Sequence, residues 1–298
     1  MKPTSLEWRE SSLWKTRVST RSRSAGGEGP PPLDENSGRP EQGRGTREKI
    51  DLNADIGESF GIYHVGHDDM LLRSITSGSI ACGFHAGDPS VMRRTVRQAV
   101  RAGVSIGAHP GFPDLVGFGR REINADPQDI FDFVLYQIGA LSALAKAEGA
   151  GLRHVKPHGA LYNMSATNKE MAEAIARAVA AFDETLLLVG LPGSELLAAG
   201  TRLGLRLAAE GFADRSYEPD GTLTPRHLAD SVLTEPGRVA DRAVRMARDH
   251  KVTARDGSTL VLDVDTICVH GDTPDAAALA AAIRAALEQA GMTVASIV

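Results

Sequence analysis

Cysteine is scarce. Cys82 and Cys268 are the only two in 298 residues, which excludes a disulfide-stapled scaffold and makes a reducing compartment, the cytoplasm, the expectation. Aromatic residues reach only 5%, and both tryptophans, Trp8 and Trp14, precede residue 50. Continuous apolar runs are short: the best is Leu186 to Val189 with its flanks, far from the ~18 residues that span a bilayer. Basic charge is in deficit, 33 Lys+Arg against 38 Asp+Glu for a net charge of -5, which argues against a dedicated nucleic-acid binder. Standard motifs are missing too. No lysine follows a glycine, so there is no Walker A loop, and Gly117-x-Gly119 lacks the third glycine of a dinucleotide fingerprint. There is no His-Glu-x-x-His. Gly103-Val104-Ser105-Ile106-Gly107 matches a nucleophile elbow by letter, but it leads from a helix into a strand, the reverse of the elbow's order. What is present is a 42% apolar fraction, enough for a packed core and incompatible with disorder throughout.

Residues 1–49 differ from the rest. They carry 10 basic and 7 acidic residues and no histidine, and half of the stretch from Gly26 to Gly45 is glycine or proline. Such a segment buries too little apolar area to offset chain entropy. The expectation is a disordered extension, or a start assigned too early, followed by one folded domain over 50–298. A transit peptide fits the Ser/Arg-rich, acid-free run 11–25, but Glu7 and Glu10 oppose it.

From Ile50 onward short strand-like runs alternate with helical patterns. Strands are expected at 50–55, 79–85, 105–109, 154–158, 185–190, 205–210 and 266–271. Helices are expected near 67–76, 88–102, 127–148, 168–181, 193–203, 235–249 and 274–290. Asp88-Pro89, Asp126-Pro127 and Thr273-Pro274 read as N-caps followed by proline, and Gly103 and Gly149 as helix stops. Asp256-Gly257 marks a hairpin inserted over 251–264. Seven strand–helix units predict a parallel sheet, closed as a barrel or open and doubly wound.

Alternate residues of a strand share a face. Asp51, Asn53 and Asp55 therefore point one way from the first strand. His85 ends the polar or small-residue face of the second, and His109 that of the third. His154, Lys156 and His158 share a face of the fourth, as do Arg206, Ala208 and Glu210 on the sixth and Thr266, Cys268, His270 and Asp272 on the last. Only the fifth strand is apolar on both faces. An ordinary buried parallel strand is apolar on both. Six strands whose polar face ends in an ionisable group instead describe a lumen whose C-terminal rim is an active site. Asp55, His85, His109 and His158 could ligate one divalent metal; a metal-free acid–base cluster is the preferred reading, so no metal is assigned. The cysteines read as packing residues.

The runs 51–61 (DLNADIGESFG), 80–88 (IACGFHAGD), 107–114 (GAHPGFPD), 117–121 (GFGRR), 156–163 (KPHGALYN) and 210–215 (EGFADR), with His270-Gly271-Asp272, resemble the family of 5-oxoprolinase A subunits, the lactam-utilisation proteins of the LamB/YcsF type. The resemblance covers residues 50 to about 295, and the extension is the one departure. It implies a seven-stranded parallel β/α barrel, TIM-like and related to glycoside hydrolase and deacetylase barrels. It also implies an ATP-dependent cyclic-amide hydrolase that opens 5-oxo-L-proline to L-glutamate with subunits B and C. ATP, with Mg, is then a co-substrate. Under that reading Asp55 or His109 is the base, Glu58 and His85 support it, and Lys156 and His158 stabilise negative charge. Arg120, Arg215 and Tyr217 hold a carboxylate or phosphate, while Asn53, Glu210, Asp214, His270 and Asp272 complete the substrate site. No membrane or nucleic-acid partner is implied, and self-association is left open. Two other readings remain: a stand-alone metal-dependent amidase or deacetylase, and a non-catalytic subunit that binds the substrate.

Overall fold

A computed structural model describes residues 48–273 and 275–298; the expected extension, except Glu48 and Lys49, lies outside them. Seven parallel strands close on themselves in the order β1 (Lys49–Ile56), β2 (Ser77–Ala81), β3 (Ser105–His109), β4 (His154–Val155), β5 (Leu187–Gly190), β6 (Arg206–Phe212) and β9 (Thr266–Val269). The seam is the pairing of β9 with β1, Asp51 opposite Thr266 and Asn53 opposite Cys268. The barrel is closed rather than doubly wound, and all seven strands expected from the sequence are present.

Helices α1 (Asp68–Leu71), α2 (Pro89–Ala102), α3 (Pro127–Ala147), α4 (Gly159–Ser165), α5 (Lys169–Phe182), α6 (Glu195–Arg202), α7 (Pro236–Asp249) and α8 (Ala276–Gln289) surround it. Asp88 caps α2 by accepting from the backbone N–H of Ser90 and Val91, and Gly103 ends it in the left-handed region at φ 69°. Two expectations change. The last helix starts at Ala276 with Asp275 at its N-cap, φ 57°, rather than after Thr273; Pro274 is outside the described residues. One helix, α3, is after all long and apolar enough by length and composition to cross a membrane. Polar residues break its apolar sequence, so no continuous run reveals it, and its face of Ile130, Val134, Ile138, Leu141 and Ala145 is buried in the protein core.

β7 (Lys251–Thr253) and β8 (Thr259–Val261) form the inserted antiparallel hairpin. Asp256 accepts from the Ser258 backbone and hydroxyl in its turn, and Gly257 sits at φ 88°. β10 (Thr293–Val294) adds to the start of β1.

Outward-facing Ile50, Leu52, Ala54, Ile80 and Ile106 pack into the layer of helices as the main core. The lumen is polar and layered. Near its N-terminal end Ser77 and Ser105 meet Ser296 of the C-terminal tail. There Leu187 and Val189 of β5, apolar on both faces, join Ala208 and Ile297 in a separate apolar plug. Above it Ser79 bonds His154 Nε2 at 3.1 Å. The imidazole of His154 fills the space beside Gly107, where a Cβ would collide with its ring. Gly107→Ala is therefore expected to lower the urea midpoint by the equivalent of about 1–3 kcal/mol, the usual cost of overpacking. An unchanged midpoint would contradict this packing.

Candidate active site

Lys156 lies at the centre of the lumen, 2% exposed. Its ammonium sits 2.6 Å from Asp55 Oδ1, 3.0 Å from Glu210 Oε1, 2.9 Å from Asn53 Oδ1 and 3.2 Å from Cys268 Sγ. Those partners come from β1, β6 and β9. Burial alone would push Lys156 down, but Asp55, Cys268 and Glu210 outweigh it and hold the ammonium well above its usual range. Burial likewise pushes Asp55 up, and the neighbouring His109 and Lys156 outweigh it, so its carboxyl stays well below the carboxylate range. Asn53 also donates to Glu210 and Thr266, which fixes the acid from below. Cys268 remains a thiol because burial raises it well above its ordinary value.

Three histidines form a second group beside Asp55. His109 Nε2 is 3.3 Å from Asp55 Oδ1 and 2.9 Å from His158 Nδ1. His85 stacks on His158 with ring centroids 3.7 Å apart. Glu58 Oε1 lies 3.4 Å from both His85 Nε2 and His158 Nδ1. Burial, followed by Asp55 and Asp272, raises the Glu58 carboxyl well above its ordinary value. Burial also lowers His85 and His158, helped by neighbouring imidazoles. The loop after β3 makes room for these rings. Gly119, at φ 63°, abuts the edges of His85 and His158, and Phe118 adopts φ 55° while its carbonyl meets His158 Nε2 at 2.8 Å.

A cavity of about 740 Å³ opens over this floor, lined by Asp55, His109, Lys156, His158, Glu210 and His270, with Arg120, Arg215 and Arg226 around its wall. Arg120 pairs with Asp272 at 2.7 Å and lies 4.8 Å over the Phe118 ring. Burial and the charge of Arg226 lower Arg215 to about 10. Burial and Arg120 lower Arg226. Three guanidiniums around one cavity make its wall electropositive, which favours an anion there.

Of the residues expected at the site, Glu58 and His85 stand behind His109 and His158 and do not line this cavity. Asn53 supports it from below. Asp214 is buried behind the rim and holds His270 Nδ1 at 2.9 Å. Tyr217 is fully buried, its hydroxyl accepting from the Phe212 backbone N–H at 2.8 Å, so it braces β6. Arg215 lines the cavity, but its guanidinium donates to the carbonyls of Thr224 and Ser231. Asp272 acts through Arg120. The metal-ligand set shifts too. Asp55 is held by Lys156 and converges instead with Cys268 and His270, while Glu58 joins His85, His109 and His158 within 4.8 Å of one another.

A family model described as LamB/YcsF matches residues 50–298. The chain belongs to the LamB/YcsF family. It is 56% identical over 248 residues to a Methylococcus capsulatus protein named as the A subunit of 5-oxoprolinase, covering 83% of this chain and 95% of that one. A Pyrococcus furiosus protein of the same name is 50% identical over 246 residues, covering 83% of this chain and 96% of that one. The crystal structure of a lactam utilization protein from Thermus thermophilus is 49% identical with a TM-score of 0.79, covering 84% of this chain and 100% of that one.

Three residues of this LamB/YcsF chain that the sequence reading did not single out line the same cavity: Arg226, His227 and Tyr162. Arg226 and His227 sit in a long connection with no periodicity to flag them. Tyr162 lies within the run 156–163, on a helix too short to announce itself.

Burial also lowers His154 from 6.5 to about 3. A histidine depressed in the folded state takes its proton only on unfolding, so stability falls as pH drops from about 6.5 towards about 3. His154→Gln is expected to remove about one proton, or about 1.4 kcal/mol per pH unit, from the slope of unfolding free energy in that window. Urea denaturation at several pH values measures it; identical slopes would contradict a neutral His154.

Proposed function

We propose that this chain is the A subunit of an ATP-dependent 5-oxoprolinase, which hydrolyses 5-oxo-L-proline to L-glutamate with cleavage of ATP to ADP and phosphate, together with subunits B and C in the cytoplasm. The observation that carries the reading is identity of 50–56% over 83% of the chain to proteins named as the A subunit of 5-oxoprolinase. The cavity agrees with it in chemistry.

A lactam is a resonance-stabilised amide. Transfer of the ATP γ-phosphoryl group to its oxygen converts a poor leaving group into a good one and makes the ring carbon electrophilic. Water then adds and the ring C–N bond breaks, so that the nitrogen leaves as an amine and the carbon becomes an acyl phosphate, which a second water hydrolyses to the carboxylate and phosphate. ATP carries Mg into such a step as a co-substrate. Cations facing transferring oxygens and a base near the attacking water serve this sequence. Arg120 and Arg226 supply the cations and receive the substrate carboxylate or a phosphate. Asp55, kept ionised by Lys156 and His109, supplies the base; a weak base suffices once phosphorylation has activated the carbon. Tyr162 offers a hydroxyl donor, kept protonated by burial and by the Glu210 charge. That hydroxyl faces the Glu210 carboxylate at the cavity, and a donor beside an acceptor suits the C=O and N–H of a cyclic amide.

Glutamate release from 5-oxo-L-proline by the purified chain, with and without ATP and with subunits B and C added, tests the proposal. Release only with ATP and both partners is expected. No release with partners of proven activity would overturn it. In the assembled enzyme Arg226→Ala is expected to raise KM for 5-oxoproline about ten-fold with a smaller change in kcat, as loss of a charged contact to an anionic substrate does. An unchanged KM would remove Arg226 from the substrate site.

A further inference from the structure

The inner nitrogens of His109 and His158 face each other across 2.9 Å. The outer nitrogen of each ring lies against a main-chain carbonyl: His109 Nδ1 is 2.7 Å from the Lys156 oxygen, and His158 Nε2 is 2.8 Å from the Phe118 oxygen. A carbonyl only accepts, so both outer nitrogens carry the hydrogen. A neutral imidazole has a single N–H, so two neutral rings would aim lone pairs at each other. Something positive must lie between them, either a proton or a metal ion.

The surroundings distinguish the two. Glu58 Oε1 lies 3.4 Å from His158 Nδ1. That oxygen is buried and makes no hydrogen bond, as do both ring nitrogens of the fully buried His85. A proton satisfies the imidazole pair alone, whereas one metal ion brings both imidazoles and the Glu58 oxygen into contact with a single positive centre. The neighbouring cluster of Asp55, Cys268 and His270 makes a useful contrast. There Lys156 already supplies the cation, in contact with Asp55 and Cys268. No lysine or arginine among the described residues occupies the histidine cluster in that way, and Arg120 is engaged by Asp272.

We propose that Glu58, His109 and His158 bind one divalent transition-metal ion, with zinc favoured by a donor set of two imidazoles and a carboxylate. The two separations from His158 Nδ1, 2.9 Å to His109 Nε2 and 3.4 Å to Glu58 Oε1, lie on either side of the ~3.3 Å between ligands ~2.0–2.1 Å from one zinc at the tetrahedral angle. The carbonyls of Lys156 and Phe118 fix the ring tautomers, as the outer partners of metal-bound histidines do. His85 Nε2 lies beside that carboxylate, 3.4 Å from Glu58 Oε1. Because His109 and His158 line the cavity and Glu58 does not, the open coordination position faces the substrate space, next to Asp55.

The test reads metal rather than turnover, so it stands or falls separately from the proposed substrate. The full chain, stripped with a chelator, is dialysed against Zn²⁺ or Co²⁺ and analysed for metal content. One ion per chain is expected, and bound Co²⁺ is expected to show the intense ligand-field bands of a tetrahedral site. Glu58→Gln and His158→Asn should each weaken retention by at least about ten-fold, while His250→Asn, at the far end of α7, should leave it unchanged. A wild-type chain that retains no ion, or a Co²⁺ spectrum identical to the aqueous ion, would overturn the proposal whether or not the variants fold. So would retention lost in His250→Asn but kept in both ligand variants.

Discussion

A charged ammonium held inside the barrel is the constraint on which the rest of the site depends. Lys156 can stay charged without water only because Asp55, Glu210, Asn53 and Cys268 surround it. These partners arrive from strands far apart in sequence and adjacent only because β9 closes onto β1. The site and the closure of the sheet are therefore one event: an open sheet would leave two carboxylates and a lysine buried and unmatched. Removing the lysine alone would strand Asp55 and Glu210, a loss of about 3–5 kcal/mol for a broken buried pair. Substitutions of Lys156 therefore disturb the fold as well as the chemistry.

Above that floor the charge changes sign. The floor carries two acids against one lysine, while the wall carries Arg120, Arg215 and Arg226, the latter two lowered by burial and by neighbouring guanidiniums. Such an arrangement attracts an anion to the mouth of the cavity and leaves its neutral, reacting end near Asp55 and His109. A small anionic lactam fits that polarity, as does a transferring phosphoryl group. The histidine cluster lies to one side of the floor, where glycines at 107, 111 and 119 leave the space that the imidazoles of His154, His85 and His158 occupy.

Much of this was legible in the chain itself, because period-two alternation exposes a polar lumen. Asp51-x-Asn53-x-Asp55 and His154-x-Lys156-x-His158 each point three polar groups inward, a pattern a doubly apolar parallel strand never shows. What stayed hidden was hidden for physical reasons. β10 has two residues and α4 seven, too short for any period to emerge. Asp214 sits in a motif with Arg215 and Tyr217 follows two residues on, yet Tyr217 braces a strand and Asp214 a histidine; nearness to a motif does not tell support from contact. Spacing also could not show that Asp55 would be taken by Lys156 from another strand, leaving Glu58 to face the histidines.

The central claim is that Asp55, fixed as a carboxylate between Lys156 and His109, performs the proton transfer at the cavity floor. Turnover of 5-oxo-L-proline by the Asp55→Asn chain in the complete ATP-supplied complex tests it most directly, with folding verified by its denaturation midpoint. The amide keeps the shape and loses the charge and the basicity. A fall in kcat of about 10²–10⁴, the usual worth of a positioned base, is predicted. Turnover close to that of the unaltered chain, at preserved stability, would contradict the account.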